Sequence, residues 1–304
     1  MPFRDLARIK DVDVGRDVPL APLTTFRIGG RARVFIRPMT ITALENILDY
    51  LHGKAIAYKV LGRGSNLLVD DRGVEAVLSL AGINDISGPA ISNDAGGWLA
   101  ATAGAGCGMG AFIAWASKRG LCGPECFCGI PGSVGGVVAM NAGASSGAIG
   151  DILHSVCFTG PGGSRWVLRD ELEFNYRRLD MPDGVVVSAA RFRLGRDEPV
   201  RIFSRIRTMM QKRIASQPLG KPSAGCIFKN PAGDSAGRLI DICGLKGYTA
   251  GGAQVSSRHA NFILNIGGAS SSAVLDLMEF VKERVMSVTG VRLASEIVVW
   301  GMKQ

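Results

Sequence analysis

Residues Gly129 to Gly147 read GIPGSVGGVVAMNAGASSG, a stretch with six glycines, no charged side chain and few groups large enough to fill a core. Glycine concentrates where the chain must take a positive φ or where something bulky must approach the main chain, and peptide N–H groups exposed in that way bind phosphate. The stretch reads as backbone laid against a ligand, with a large, phosphorylated, planar cofactor as the simplest occupant. A Gly-rich turn between a strand and a helix is the plainer alternative. A second run shifts the balance. Leu61 to Asp70, LGRGSNLLVD, follows the apolar Ala57 to Val60 and precedes Val74 to Leu80, which predicts a strand, a tight polar loop and another strand. Gly62, Gly64, Ser65 and Asn66 offer unhindered N–H groups, a hydroxyl and an amide, and Arg63 adds a cation, so this loop suits a pyrophosphate. Neither run is a dinucleotide fingerprint. Gly104, Gly106, Gly108 and Gly110 recur at every second residue, so GxGxxG fails at Met109, and no GxxxxGK[ST] occurs. Rossmann and P-loop folds lose ground accordingly.

Composition sets the frame. The chain has 304 residues, 47% hydrophobic and 20% charged, enough for two or three domains with sizeable cores. No apolar run approaches the roughly 18 to 20 residues that span a bilayer. The opening MPFRDLARIKDVDV lacks the apolar block of a signal peptide, so a cytoplasmic protein without membrane contact is expected. Seven irregularly spaced cysteines fit reduced thiols rather than a disulfide framework. Cys122, Cys126 and Cys128 lie close together, but no fourth ligand stands near them and the only histidines are His52, His154 and His259, so no metal is expected. The net charge of +9 permits anionic partners. Its basic residues are spread through amphipathic segments such as Arg201, Arg205, Arg207, Lys212 and Arg213, and aromatic residues make up 7%, which argues against a nucleic-acid platform. Small anionic substrates use the same charge as a focusing field.

Along the chain, the first part reads βαββ. Ala32 to Arg37 is a strand, Ile41 to His52 a helix with Leu44, Ile47, Leu48 and Leu51 on one face, and two strands flank the Gly62 loop. The polar, Gly-rich Asn84 to Gly97 reads as a boundary. The second part opens with the strand Trp98 to Ala103 and a helix near Gly110 to Lys118, and continues through the long Gly loop. It closes with strands near Ser155 to Thr159, Arg165 to Leu168 and Val185 to Leu194, and a helix from Pro199 to about Ser216 leads onward. The third part has helical patterns at Ala236 to Cys243 and Ser271 to Val288, the latter with Val274, Leu277, Met278, Val281 and Val285 as a core stripe. Val291 to Trp300 reads as a final strand. The resulting parts are 1–83, 84–215 and 216–304.

Three segments carry candidate chemistry. In KPSAGCIFKNP, Lys221 to Pro231, Cys226 is either a small buried hydrophobe or an acid, and Lys229 with Asn230 makes a clamp for phosphate or a sugar hydroxyl, or an exposed turn. In ELEFNYRRLDM, Tyr176, Arg177 and Arg178 lie between apolar runs, where one arginine holds a carboxylate in bidentate fashion or both are solvated. Glu296 is the only acid of VRLASEIVVWG, placed either at an exposed end or to exchange a proton.

Taken in order, these segments resemble the UDP-N-acetylenolpyruvoylglucosamine reductases of peptidoglycan synthesis over nearly the whole length. The matching pieces are TTFRIGG (Thr24 to Gly30), LGRGSNLLV (Leu61 to Val69), GIPGSVGGVVAMNAGA (Gly129 to Ala144), the pair Tyr176 and Arg177, and SAGCIFKNP (Ser223 to Pro231). AGRLIDICGLKG (Ala236 to Gly247), SSRHANFILN (Ser256 to Asn265) and the closing LASEIVVWG complete the set.

The resemblance implies an α+β protein with the two-part FAD-binding domain of the vanillyl-alcohol-oxidase type, also called the PCMH type, and a C-terminal α/β domain for UDP-sugar. It implies that FAD is held by Gly62, Arg63, Gly64, Ser65, Asn66 and Leu67 and by Gly129, Pro131, Gly132, Gly135, Gly136, Asn141, Ala142 and Gly143. It places Tyr176, Lys229, Asn230, His259 and Asn261 at the substrate. The family uses NADPH to reduce the flavin, then passes hydride to the vinyl carbon of UDP-N-acetylglucosamine enolpyruvate, giving UDP-N-acetylmuramate (EC 1.3.1.98). Arg177 and Glu296 match the positions that stabilise the enol-like intermediate, and Cys226 takes the place of the proton donor, serine in many members and cysteine in others. An unperturbed thiol is a stronger acid than a serine hydroxyl, so the substitution fits protonation. A monomer is expected. Departures from the family pattern are Ser145 and Ser146 where many members carry a tyrosine, Leu179 where a serine follows the YR pair, and Ala294 where an acid often precedes the glutamate. The chain also resembles a shorter branch without an inserted tyrosine-bearing loop. An alcohol-oxidising flavoenzyme of the same fold and an inactive UDP-sugar-binding relative are the alternatives.

Overall fold

In the computed structural model the described residues are Phe3, Leu6 to Ile91, Trp98 to Ala144 and Gly147 to Gly301. Ser145, Ser146 and the 92–97 part of the expected boundary lie outside them.

The first stretch of chain forms β1 (Val12–Pro19), β2 (Arg31–Pro38), α1 (Ile41–Gly53), β3 (Lys59–Leu61), β4 (Leu67–Val69) and β5 (Val74–Ser79). The second forms β6 (Ile86–Ile91), β7 (Leu99–Gly104), α2 (Met109–Ser117), β8 (Leu121–Cys122), α3 (Val134–Ala139), β9 (Gly143–Ala144) and β10 (Gly147–Ala148). β11 (Leu153–Gly160), β12 (Gly163–Leu168), β13 (Phe174–Asn175), β14 (Arg178–Leu179), β15 (Val186–Arg196) and α4 (Pro199–Ser216) follow. The last stretch holds β16 (Ser223–Cys226), α5 (Ala236–Ile242), β17 (Thr249–Ala250), β18 (Ala253–Val255), β19 (Phe262–Asn265), α6 (Ser271–Thr289) and β20 (Val298–Trp300).

The chain divides into two compact units that interleave along the sequence. One comprises Met1–Gly15, Val34–Arg63 and Ala76–Gln211, the other Arg16–Arg33, Gly64–Glu75 and Lys212–Gln304. The chain passes between them inside the LGRGSN loop, between Arg63 and Gly64. A four-stranded sheet runs in the order β1-β2-β5-β3, with β3 parallel to β5.

The first unit centres on an antiparallel sheet in the order β12-β11-β15-β7-β6, with β8 on the end of β15. Strand alternation sends Ala101, Ala103, Val156, Ala190 and Phe192 into a core with Phe112 of α2 and Val134 and Val138 of α3. A second cluster of this unit joins Val34 and Ile36 to Leu78 and to the α1 face of Leu44, Ile47, Leu48 and Leu51, all buried as their spacing predicts. Thr40 caps α1 by accepting the Ala43 N–H. Two expectations need correction here. Ile86 to Ile91, read as part of a polar boundary, is the edge strand β6, bulged between Ser87 and Ala90, and an edge strand tolerates that composition. The long Gly loop contains a helix, α3, whose N-cap Ser133 accepts the Gly136 N–H.

In the second unit, β16-β19-β18-β17 form an antiparallel sheet, and β20 pairs in parallel with β4. Val274, Leu277, Met278, Val281 and Val285 of α6 are buried with Phe228, Leu239 and Leu293, so the predicted stripe is core. Of the expected strand Val291 to Trp300, only β20 is continuous, because residues 294–296 bond instead to the segment after Cys226.

Candidate active site

A cavity of about 460 Å³ opens in the first unit, lined by Gly62, Arg63, Gly106, Cys107, Gly108 and Ser133 among others. Three glycines and one cation, Arg63, are part of this lining, and both Gly-rich runs reach it. A Cβ on Gly62 would lie 2.8 Å from Ser133 Oγ, and one on Gly108 would lie 3.0 Å from Arg63 Nη1, so side chains there would fill the cradle. Gly108 is the N-cap of α2 and supplies no side-chain cap; Gly132 O takes the Met109 N–H, and the rest of the first turn can face an anion beside the Arg63 guanidinium. The chemistry suits the pyrophosphate of a dinucleotide, so the residues fit FAD. Gly106, Cys107 and Gly108 line this cavity and are not among the residues expected from the sequence. Their signal in the sequence is the glycine at every second position, which does not fit the Rossmann spacing. Gly106 is required for close packing, since a Cβ would sit 2.1 Å from Leu80 O.

The remaining residues expected at the cofactor have other engagements in view. A Cβ on Gly135 would fall 2.6 Å from the Ala105 Cβ, so that glycine lets α3 approach the loop after β7. Gly132 accepts the Met109 N–H, Gly136 serves the α3 cap, and Gly129 takes a φ of 76°. Pro131 is exposed and Ala142 half-buried. In the second unit, Leu67 is buried on β4 and pairs with Val298. Asn66 donates from Nδ2 to Glu296 O and accepts the Val298 N–H, which ties the LGRGSN loop to the backbone at Glu296. Ser65 is half-buried beside it. Gly64 (φ 60°) approaches Leu23 too closely for any side chain and accepts the Thr25 N–H. Thr25 donates its hydroxyl to Ser223 O at 2.7 Å, linking TTFRIGG to the strand that ends at Cys226.

Tyr176 and Arg177 form the turn between β13 and β14, and Arg177 takes a left-handed φ of 60°. The structure separates the two arginines. Arg178 is exposed and paired with Asp180 at 2.6 Å, whereas Arg177 is half-buried and donates from Nη1 to Gly143 O at 3.3 Å. Tyr176, 56% exposed, lies under the Arg177 guanidinium at 5.4 Å. Leu179 fills the core.

Cys226 is half-buried at the end of β16, where a bulge at Gly225 (φ 79°) breaks register between Ser223 and Cys226. The following residues are clamped from both sides. Asn261, 3% exposed, accepts the Phe228 N–H with Oδ1 at 2.9 Å and donates from Nδ2 to Phe228 O at 2.8 Å. Its own carbonyl accepts the Ile227 N–H at 2.9 Å. From the other side the Glu296 N–H donates to Ile227 O at 2.8 Å, and Ala294 O accepts the Lys229 N–H at 2.8 Å. Cys226 and Glu296 are thereby brought together, and Ala294 acts here through its carbonyl.

His259 is half-buried, and burial pushes its pKa below the ordinary 6.5. Its Nδ1 faces the Asn261 N–H at 3.3 Å, which requires the neutral ring. Asn230 accepts the Ala236 N–H at the start of α5, and Lys229 is half-buried next to it. Asn261 thus has both ends of its amide engaged with the Phe228 backbone, which makes it a clamp on the segment after Cys226.

Comparison with known proteins matches residues 217–300 to the model of the UDP-N-acetylenolpyruvoylglucosamine reductase C-terminal domain and residues 32–168 to an FAD binding domain. The UDP-N-acetylenolpyruvoylglucosamine reductase of Syntrophobacter fumaroxidans is 39% identical, over 96% of this chain and 85% of its own length. That of Pelobacter propionicus is 40% identical, over 94% and 95%. The chain belongs to the UDP-N-acetylenolpyruvoylglucosamine reductase family. A solved reductase of this family from Thermus caldophilus superposes with a TM-score of 0.76 at 36% identity, covering 95% of this chain and 99% of that one. The family's FAD-binding and C-terminal domains account for the α+β architecture that the motifs implied. Among the described residues no helix is long and apolar enough to cross a membrane.

Proposed function

We propose that this chain carries out its family's reaction, the NADPH-dependent reduction of UDP-N-acetylglucosamine enolpyruvate to UDP-N-acetylmuramate, with Arg177, Cys226 and Glu296 as catalytic residues. The supporting observation is the double clamp on Ile227 and Phe228, which holds the segment following Cys226 against the Glu296 backbone on a fixed frame.

Gly62, Arg63, Gly108 and the α3 loop would hold FAD, which when bound would supply hydride that originates on NADPH. Once hydride has reached the methylene carbon, the electron pair of the double bond rests on the carbon next to the carboxylate, an enolate-like species that needs cations and then a proton. Arg177, held half-buried by Gly143 O, supplies positive charge. The Cys226 S–H bond breaks, its proton forms the new C–H bond, and the thiolate regains a proton from solvent. Glu296 supports that proton exchange. Tyr176, Lys229, Asn230 and His259 are candidates for holding the UDP-sugar, and Asn261 for positioning.

The three parts 1–83, 84–215 and 216–304 are proposed as two FAD-binding subdomains and a substrate domain, in a cytoplasmic monomer that needs neither nucleic acid nor membrane. NADPH consumption on adding the enolpyruvyl substrate, with UDP-N-acetylmuramate identified by mass, tests the reading. NADPH oxidation only with oxygen or simple alcohols would favour another flavoenzyme, and tight UDP-sugar binding without turnover an inactive relative.

A further inference from the structure

We infer that Asn141 couples occupancy of the cofactor site to the placement of the Arg177 turn, an inference that rests on the FAD reading above. Asn141 follows α3 in a left-handed conformation, φ 39°, which asparagine tolerates better than most residues. Its backbone N–H bonds to Val138 O at 3.0 Å. Its side chain faces two ways. Nδ2 donates to Asn175 O at 3.1 Å, the carbonyl of the last residue before the Tyr176–Arg177 turn. Oδ1 is buried and has no donor among the described residues. Buried acceptors are nearly always paired, because an unmade bond forfeits the solvation lost on burial. Oδ1 therefore calls for an N–H or O–H donor from a bound molecule, and FAD carries both kinds, in its imide and its ribityl hydroxyls.

Residues 141–143 hold the turn at two points: Asn141 grips its base through Asn175 O, and Gly143 O receives Arg177 Nη1 at 3.3 Å. The β13–β14 hairpin is closed by the pairs Phe174–Leu179 and Asn175–Arg178 and by the Asp180 N–H on Glu173 O at 3.0 Å, and residues 141–143 brace its tip from outside. A donor from the cofactor on Oδ1 fixes the amide plane, the amide fixes Asn175, and Arg177 is set before substrate arrives. Asn141 acts here as a positioning residue for Arg177.

The test is limited trypsin digestion after Arg177 and Arg178, followed by mass spectrometry, on wild-type protein stripped of flavin and reloaded with FAD. Flavin fluorescence quenching measures FAD binding separately. FAD is expected to slow these cuts by about fivefold or more relative to cuts elsewhere. Asn141→Asp keeps the acceptor and loses the donor, so it is expected to bind FAD within about threefold of wild type while losing the protection, with a kcat for substrate reduction lowered about tenfold. Equal cutting of stripped and loaded wild type, or full protection in Asn141→Asp, would overturn the coupling. Failure of wild type to bind FAD at all would instead remove the functional reading beneath it.

Discussion

Asn261 and Phe228 are joined by a two-way amide bridge, with Oδ1 accepting the Phe228 N–H at 2.9 Å and Nδ2 donating to the Phe228 carbonyl at 2.8 Å. Both partners are almost fully buried, so the peptide at Phe228 has no solvent to fall back on. Asn261→Ala strands an N–H and a carbonyl, and is expected to lower unfolding free energy by about 3 kcal/mol, read from urea melts. Asn261→Asp keeps the acceptor only, and should recover about a third of that loss. A melt within about 0.5 kcal/mol of wild type for the alanine variant would refute the clamp.

The role proposed for the thiol at position 226 can be separated from cofactor chemistry. Cys226→Ala is expected to leave reduction by NADPH at the wild-type rate and to slow reoxidation by the enolpyruvyl substrate by roughly 10³-fold, within the range of lost general acids. Cys226→Ser should recover much of it. Glu296→Gln should slow the same half-reaction. Rapid-mixing traces with equal losses in both halves would contradict these roles.

Much of the fold is legible in the sequence because its signals are local. Leu44, Ile47, Leu48 and Leu51 mark α1 by spacing, and Val274 to Val285 mark α6 in the same way. The course of Val291 to Trp300 is not local. Its central residues take partners from the Ile227 to Lys229 segment, so β-propensity predicts a strand where the chain forms a bracing loop. The cavity is half legible: Gly62 and Arg63 announce themselves, whereas Gly106 and Gly108 follow no known fingerprint and join its lining only once α2 is placed. The unequal roles of Arg177 and Arg178 depend on Gly143 and Asp180, which no periodicity reveals.

His259 gives a pH dependence of stability. Its folded pKa lies below the ordinary 6.5 of the unfolded chain because burial disfavours the charged ring. The unfolded state therefore binds more protons in that window, and stability falls as pH drops through 6.5 toward the folded value. Urea midpoints measured between pH 7.5 and about 5 should decline less steeply in His259→Gln than in wild type. Parallel slopes would show that His259 does not titrate with folding.

Glu125 is buried and pairs with Arg205 of α4, whose Nε and Nη2 reach Oε1 at 3.1 and 2.8 Å, while the Gly123 N–H donates to Oε2. Arg205 also pairs with Asp197 at 2.6 Å. Arg205→Met strands the Glu125 carboxylate and is expected to cost about 2 kcal/mol, less than for a fully buried pair because Arg205 is partly exposed. The double variant Glu125→Gln, Arg205→Met should recover part of the loss. Additive losses in that cycle would mean that the pair is not coupled.

The most direct measurement is the visible absorbance of the purified protein, recorded anaerobically, then with NADPH, then with UDP-N-acetylglucosamine enolpyruvate. The account predicts a flavin band that bleaches with NADPH and returns on adding the enolpyruvyl substrate, with one UDP-N-acetylmuramate formed per bleached flavin. A colourless protein that takes up no FAD, or a bleached band that stays bleached with substrate, would contradict it.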